Sequence, residues 1–317
     1  MRKESQMIEN LQIGDAIEHR GIVIAPLFPS RDPIANYLTL DEALAGGLRI
    51  RETSESGAVP ELMVDNPLDE RVLLYDGEEL VGAKQNRILN VTVLVGAKSK
   101  LAIPVSCVEQ GRWSRRTADF AAAPHAASPE LRYRKNLHLH AQPLVRGISQ
   151  GEVWDAVHEK ASRMGVHSPT GASSDTYRAR SSELHALEGA FPAEPGQCGA
   201  ILAIGTSMCL DAVSRPDAFA RLWPKLRAGY LLDALERLDG KPTQNAALPT
   251  IVESARQAEV SRQPSAGLGE DIRLTGERAI GSGLELDGEV IQLSVFMGAG
   301  GRPQNPFGRI ARPSRRR

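Results

Sequence analysis

Cysteine is scarce in this 317-residue sequence: Cys107, Cys198 and Cys209 are an odd number with no C-x-x-C spacing. That argues against a disulfide framework or a zinc site and predicts a reducing, cytoplasmic home. Aromatic residues make up only 4% of the chain, thin for the stacking platforms that hold single-stranded nucleic acid. Net charge is nearly absent as well. Lys+Arg 38 against Asp+Glu 39 leaves -1, so no whole-protein field draws the chain to nucleic acid or a membrane. No stretch approaches the ~18 consecutive apolar residues of a membrane span. The polar start, Met1-Arg2-Lys3-Glu4-Ser5-Gln6, has no apolar signal core behind it, so no secretion is expected. No internal repeat of fixed period is present.

What is there has the proportions of a soluble globular chain, 41% hydrophobic and 24% charged. The length allows one large domain or two smaller ones, either able to bury a core without staples. Ile22 to Phe28 is an apolar run suited to a buried strand, and Thr39 to Gly47 reads as a helix ended by Gly46-Gly47. Leu48 to Thr53 and Glu61 to Val64 alternate with period two. Arg71 to Tyr75 ends at Asp76-Gly77, a hairpin signal, and β-branched runs follow at Ile88 to Val95 and Leu101 to Val108. Residues 10–113 therefore read as a β-rich, sandwich-like unit. Residues 114–130, rich in Ala and Ser with Pro124 and Pro129, read as a loop.

Helical spacing then dominates residues 131–190, through Val153, Trp154, Val157 and Ala161 and again from a Ser173-Ser174-Asp175 cap towards Leu187. Residues 197–297 read as a strand at Gly199 to Gly205, a long helix from Pro216 to Leu238 that Pro224 should kink or split, and a closing antiparallel meander. The expected fold class is α+β, with the three pieces packed as one composite domain over residues 10–297. Residues 298–317, with Gly298, Gly300, Gly301, Pro303 and Arg315-Arg316-Arg317, are expected to be a disordered basic tail.

The densest polar constellation lies between Glu52 and Trp113. Asp76-Gly77-Glu78-Glu79-Leu80-Val81-Gly82-Ala83-Lys84-Gln85-Asn86-Arg87 joins two apolar strands with charges, amides and glycines, a setting in which binding sites are often built. Gln85 and Arg87 are two apart and share a face if extended, as do Cys107 and Glu109. With the two strands side by side, Arg87 would pair with Glu109, and Arg112 would add a second guanidinium. Two arginines and an amide form a fork for phosphate or carboxylate, and Glu109 beside an arginine stays ionised, able to orient a water. The same Arg–Glu pairs also serve as plain sheet scaffolding, contributing about 1 kcal/mol when exposed.

Other candidates carry less. Cys107 becomes a nucleophile if a nearby arginine lowers its pKa, yet a free cysteine in a strand more often packs as a small hydrophobe. His138-Leu139-His140 would place two imidazoles on one side of an extended segment, without a third metal ligand at supporting spacing. Ser168-Pro169-Thr170-Gly171 and the serines after it either line a pocket or form turns and caps. Gly267-Leu268-Gly269-Glu270-Asp271 lacks the ending of a P-loop and the third glycine of a dinucleotide fingerprint.

The strings Gly77-Glu78, Gly82, Gln85-Asn86-Arg87, Pro104-Val105, Cys107, Glu109 and Gly111-Arg112-Trp113 resemble the ARG and rhodanese-phosphatase-superfamily-associated protein domain family. Glu52, Val64 with Asn66, Trp154, Ser168 with Thr170, and Phe219 with Trp223 fit the same resemblance, which spans roughly residues 10 to 297. The family's name points to gene neighbours acting on ADP-ribose. The resemblance thus implies ADP-ribose or NAD-derived nucleotide metabolism, and it names no cofactor, which stays unknown. The expectation is a domain that binds or hydrolyses a phosphorylated small molecule. Gln85, Asn86, Arg87 and Arg112 would hold the ligand, Glu109 or Glu78 would orient water, and Cys107 is the possible nucleophile. The alternative is a non-enzymatic interaction module in which the Arg–Glu network is structural. Nucleic acid binding through the tail ranks last, no metal is called for, and a homo-oligomer is compatible with the sequence.

Overall fold

The computed structural model describes residues 11–54, 57, 60–141, 149–238 and 247–298. The tail expected over 298–317 therefore lies almost wholly outside the described residues. The first half contains β1 (Leu11–Ile13), β2 (Ile17–His19), β3 (Ile22–Pro29), β4 (Leu38–Thr39), α1 (Leu40–Ala45), β5 (Arg49–Glu52), β6 (Glu61–Asn66) and β7 (Val72–Leu74). Next come β8 (Glu78–Gly82), β9 (Arg87–Leu89), β10 (Val93–Val95), β11 (Ser99–Cys107) and β12 (Phe120–Ala126). Four helices follow: α2 (Pro129–Ala141), α3 (Gln150–Arg163), α4 (Ser173–Ala179) and α5 (Ser181–Glu188). The rest comprises β13 (Gly199–Ile204), β14 (Ser207–Val213), α6 (Pro216–Leu235), α7 (Leu248–Gln257), β15 (Glu259–Pro264), β16 (Glu270–Thr275), β17 (Ala279–Leu286) and β18 (Glu289–Met297). The fold class is α+β. Among the described residues, no helix is long and apolar enough to cross a membrane.

Three sheets organise these strands. A nine-stranded antiparallel sheet runs β1-β3-β13-β14-β18-β17-β16-β15, with β2 also on β3. Its centre is apolar on both faces: β13, β14 and β18 are buried along their whole length, with α6 packed on one side and α7 on the other. The C-terminal meander is thus seen, and β3 joins it rather than the other N-terminal strands, with Ile22 opposite Ile204 and Leu27 opposite Gly199. A six-stranded antiparallel sheet runs β12-β8-β9-β11-β6-β5, and a small one runs β10-β7-β4. The six-stranded sheet curls until Arg49 and Arg51 on its edge strand β5 both ion-pair Asp119, just before the opposite edge strand β12.

Several local expectations need correction. Asp76-Gly77 does not close a hairpin, because β7 pairs with β10 and β4 while β8 pairs with β9 and β12. The turn carries the chain from one sheet to another. Gly77 has φ +85, and a Cβ there would sit 2.8 Å from Arg132 Cδ. The run from Ile88 to Val95 is likewise two strands in two sheets, with Asn90 and Thr92 between them tied to Ser106 and to the Asp76 N–H. Residues 120–126, expected as loop, form β12, an edge strand whose alanines and Pro124 hide its character. The helix expected from Ser173 to Leu187 is two, α4 and α5. His138 and His140 sit on α2 rather than on an extended segment, so two residues apart they diverge: His138 meets Glu152, and His140 meets the Asn136 and Leu274 carbonyls. Pro224 does not split α6. It and Ala220, whose carbonyl loses its donor, are both exposed, so water can serve that carbonyl.

A closed ionic knot joins the layers. The Asp211 carboxylate on β14 takes both terminal nitrogens of Arg132 (2.7 and 2.6 Å) and the hydroxyls of Tyr75, Tyr230 and Ser294, each at 2.7 Å. Burial alone would push its carboxyl up, but the Arg132 charge and these hydrogen bonds bring it down to about 2. Asp76 adds a second acid to the knot through Lys135 at 2.5 Å and Arg132 at 3.5 Å. All five of Asp211, Arg132, Tyr75, Lys135 and Asp76 are buried.

Candidate functional site

β8, the β8–β9 turn and β12 form the floor of a cleft whose wall is α4 and α5. Its volume is about 1190 Å³, and Asn86, Glu109, His125, Thr170, Ser174 and Tyr177 are among its lining residues. This exceeds the usual range of ligand pockets, roughly 300–1,000 Å³. Backbone pairing fixes the wall to the floor: Gly111 N–H donates to Thr170 O, Ser173 N–H donates to Val108 O, and Glu109 bridges to Ala172.

His125 owes its position to a fault in the ladder. β12 pairs with β8 at Ala122–Leu80 and again at Ala126–Glu78, so the segment around Pro124 bulges opposite Glu79. The His125 ring then stacks on Tyr177 at 3.7 Å and 12°, while the Tyr177 hydroxyl is anchored on Ala126 O at 2.8 Å. His125 Nε2 lies 3.0 Å from Glu79 Oε2. The other Glu79 oxygen accepts from Asn86 Nδ2 at 3.2 Å. A carboxylate that accepts on both oxygens requires the proton on Nε2, which leaves the Nδ1 lone pair without a partner among the described residues. A histidine so held has a nitrogen that can accept a proton from a bound molecule.

Asn86 is the hub. Its Oδ1 accepts from Arg112 Nη2 at 3.1 Å and its Nδ2 donates to Ser174 Oγ at 3.2 Å as well as to Glu79. Its own N–H donates to Glu109 Oε2 at 3.1 Å. Glu109 also takes Arg112 at 2.6 Å and the Thr170 hydroxyl at 3.0 Å. Burial pushes the Glu109 carboxyl up, but the Arg112 bond, the Asn86 N–H, the Arg112 charge and Thr170 outweigh it, so it lies below its ordinary value. Gly82 lets the turn close: at φ +120, a Cβ would run into Thr117 Oγ1.

The two strand segments lie side by side, Arg87 opposite Cys107, but their polar tips divide. The expected Arg87–Glu109 pair does not form. Neighbouring residues of an extended strand face opposite ways, so Asn86 reaches the cleft while Arg87 turns from it. Arg87 is fully buried, donating to the Gln85 carbonyl (3.3 Å) and side chain (3.1 Å), 3.8 Å from Glu52, and packed 5.7 Å from the Trp113 ring. Arg112 stands behind the cleft, its terminal nitrogens also spent on the carbonyls of Gly82, Ala83 and Ser114. It is a clamp on the β8–β9 turn. Glu78 is elsewhere, holding the Tyr75 N–H at 2.9 Å and Lys225 at 2.9 Å. Cys107 is buried, its backbone held on both sides by the Gln150 carboxamide, and burial pushes the thiol up to about 11 against the smaller pull of Arg87. The nucleophile expectation had those two effects in the wrong order of size.

Three site residues, Glu79, His125 and Tyr177, escaped sequence reasoning. Glu79 sits beside the chosen Glu78, and strand parity, had the turn after Gly82 been recognised, would have separated them. His125 was hidden in an alanine-rich stretch, Tyr177 drew no reading of its own, and Ser174 stood among the serines read as pocket lining or cap. A family model described as ARG and Rhodanese-Phosphatase-superfamily-associated Protein domain matches residues 10–296, and the chain belongs to that family. No curated protein and no solved structure matches it.

Proposed function

From this family membership and the cleft together, we propose that the protein binds a small phosphorylated molecule and hydrolyses it, with His125 as the group that moves the proton. The ligand class is nucleotide-like, an ADP-ribose or NAD-derived compound, in keeping with the family's name. The observation that carries the reading is the Glu79–His125 pair, stacked on Tyr177 with its free nitrogen in a cleft large enough for such a ligand. Glu79 sets the tautomer and stabilises the imidazolium that forms when Nδ1 takes a proton. Arg116 on the rim, exposed and without a side-chain partner among the described residues, is available to a phosphate. Glu109, ionised and facing the cleft, holds Thr170 and the Asn86 backbone in place.

Calorimetry and thermal shift against ADP-ribose, NAD and related nucleotides, with product analysis, provide the test. The expected result is binding that survives His125→Gln while turnover falls about 10²–10⁴-fold, the usual contribution of a positioned acid–base group. Failure of every nucleotide to bind, or turnover indifferent to His125→Gln, overturns the proposal.

A further inference from the structure

The geometry points to Ser174 as a nucleophile that His125 activates, so that hydrolysis at phosphorus runs through a covalent serine ester. This rests on the reading of His125 as the base. Three features of the cleft gather the two residues. Ser174 and Tyr177 are three apart on α4 and so share a helix face. The His125 ring lies flat on Tyr177, 3.7 Å away. Asn86 Nδ2 divides its two hydrogens between Ser174 Oγ and Glu79 Oε1, each at 3.2 Å, and Glu79 holds His125. Serine, carboxylate and imidazole are thus assembled around one amide.

That amide cannot be turned round. Its oxygen accepts from Arg112, a residue that only donates, and from the Gly82 N–H at 3.4 Å. Its nitrogen must therefore face Ser174, whose oxygen accepts and whose own proton has no acceptor among the described residues. The donor without an acceptor and the acceptor without a donor, Ser174 O–H and His125 Nδ1, both belong to the same cleft. They are not hydrogen-bonded to each other here, and nucleophile–base contacts commonly tighten only with substrate bound. Of the other candidates, the Ser168 hydroxyl donates to Asp175 at 2.6 Å, the Cys107 thiol stays protonated, and Ser181 and Ser182 line the cleft but make no bond to the Asn86–Glu79–His125 chain.

The step balances without a further reactant except water. Ser174 Oγ forms a bond to phosphorus as its proton passes to His125 Nδ1. The bond from phosphorus to the leaving oxygen breaks, and that oxygen takes the proton from His125. Water, giving its proton to the same nitrogen, then cleaves the Ser174–phosphorus ester and restores the hydroxyl.

A fluorophosphonate probe reacts by the same first step, with fluoride as leaving group, and requires no knowledge of the natural substrate. The full chain is incubated with the probe, and adducts are mapped by mass spectrometry, with melting temperature recorded for every variant. One adduct on Ser174 is expected, absent in Ser174→Ala and formed at least tenfold more slowly in both His125→Gln and the more conservative Glu79→Gln. No adduct, an adduct that survives Ser174→Ala, or rates unchanged in folded His125→Gln overturns the inference. Nucleotide hydrolysis that depends on His125 without a Ser174 adduct sinks this inference alone and leaves water as the direct nucleophile. An adduct with no nucleotide bound upholds Ser174 and sinks the ligand class instead.

Discussion

Two polar clusters, one seated on β14 and β18 of the nine-stranded sheet and one on the six-stranded sheet, differ in what is left over. In the knot around Asp211, both carboxylate oxygens are filled by Arg132, Tyr75, Tyr230 and Ser294, with nothing turned to solvent. In the chain Arg112–Glu109–Asn86–Glu79–His125, which leaves the buried Arg112 Nε without a partner among the described residues, each residue bonds the next, and at the far end an imidazole nitrogen and the Ser174 hydroxyl belong to an open cleft. A saturated network holds layers together; one that ends in unused donors and acceptors beside a cavity is ready for a ligand.

The contrast is broken most severely at Asp211. Asp211→Ala strands the Arg132 guanidinium in the core and is expected to cost about 3–5 kcal/mol in denaturant titrations, enough to threaten folding. Arg112→Ala should cost less, about 1–3 kcal/mol, because Glu109 keeps the Asn86 N–H and the Thr170 hydroxyl when the guanidinium goes, but it should also abolish ligand binding by releasing the β8–β9 turn. A loss of binding with full stability would show that Arg112 touches ligand after all. Glu79→Gln is expected to reverse that pattern, with a small change in melting temperature and a drop in turnover of about 10²-fold or more.

Acid sharpens the comparison. The Asp211 carboxyl is about 2 when folded and ~3.9 when unfolded, so its contribution is complete above the unfolded value. It should fade as pH falls from about 4 to about 2, and that segment of the stability–pH curve should flatten in Asp211→Asn. The smallest effect belongs to Cys107→Ala: about 1 kcal/mol, with turnover retained and wild-type resistance to thiol alkylation at neutral pH.

Much of the architecture was legible because it rests on periodicity. The apolar runs at β3, β13 and β18, the α1 cap at Thr39 answered by Glu42, and the buried stripe of α6 all follow from local pattern. Sheet membership was not, since Asp76-Gly77 signals a turn without saying which strands it joins. The site divides along the same line. Asn86 and Glu109 were found from polarity near a turn. His125 was missed because a bulge, a property of two strands in register, aims it, and no single strand carries that information. The Arg87 fork failed because proximity in sequence was taken for convergence, whereas pleating separates adjacent residues.

The four residues Asp76-Gly77-Glu78-Glu79 end in three different places: the knot, Lys225 on α6, and the imidazole. The carboxylate that holds His125 is therefore one peptide from a strut and three from a keystone, and its aim is inherited from both. Lys225→Met, which touches neither cleft nor ligand, should loosen that strut and register as slower turnover before it registers as unfolding.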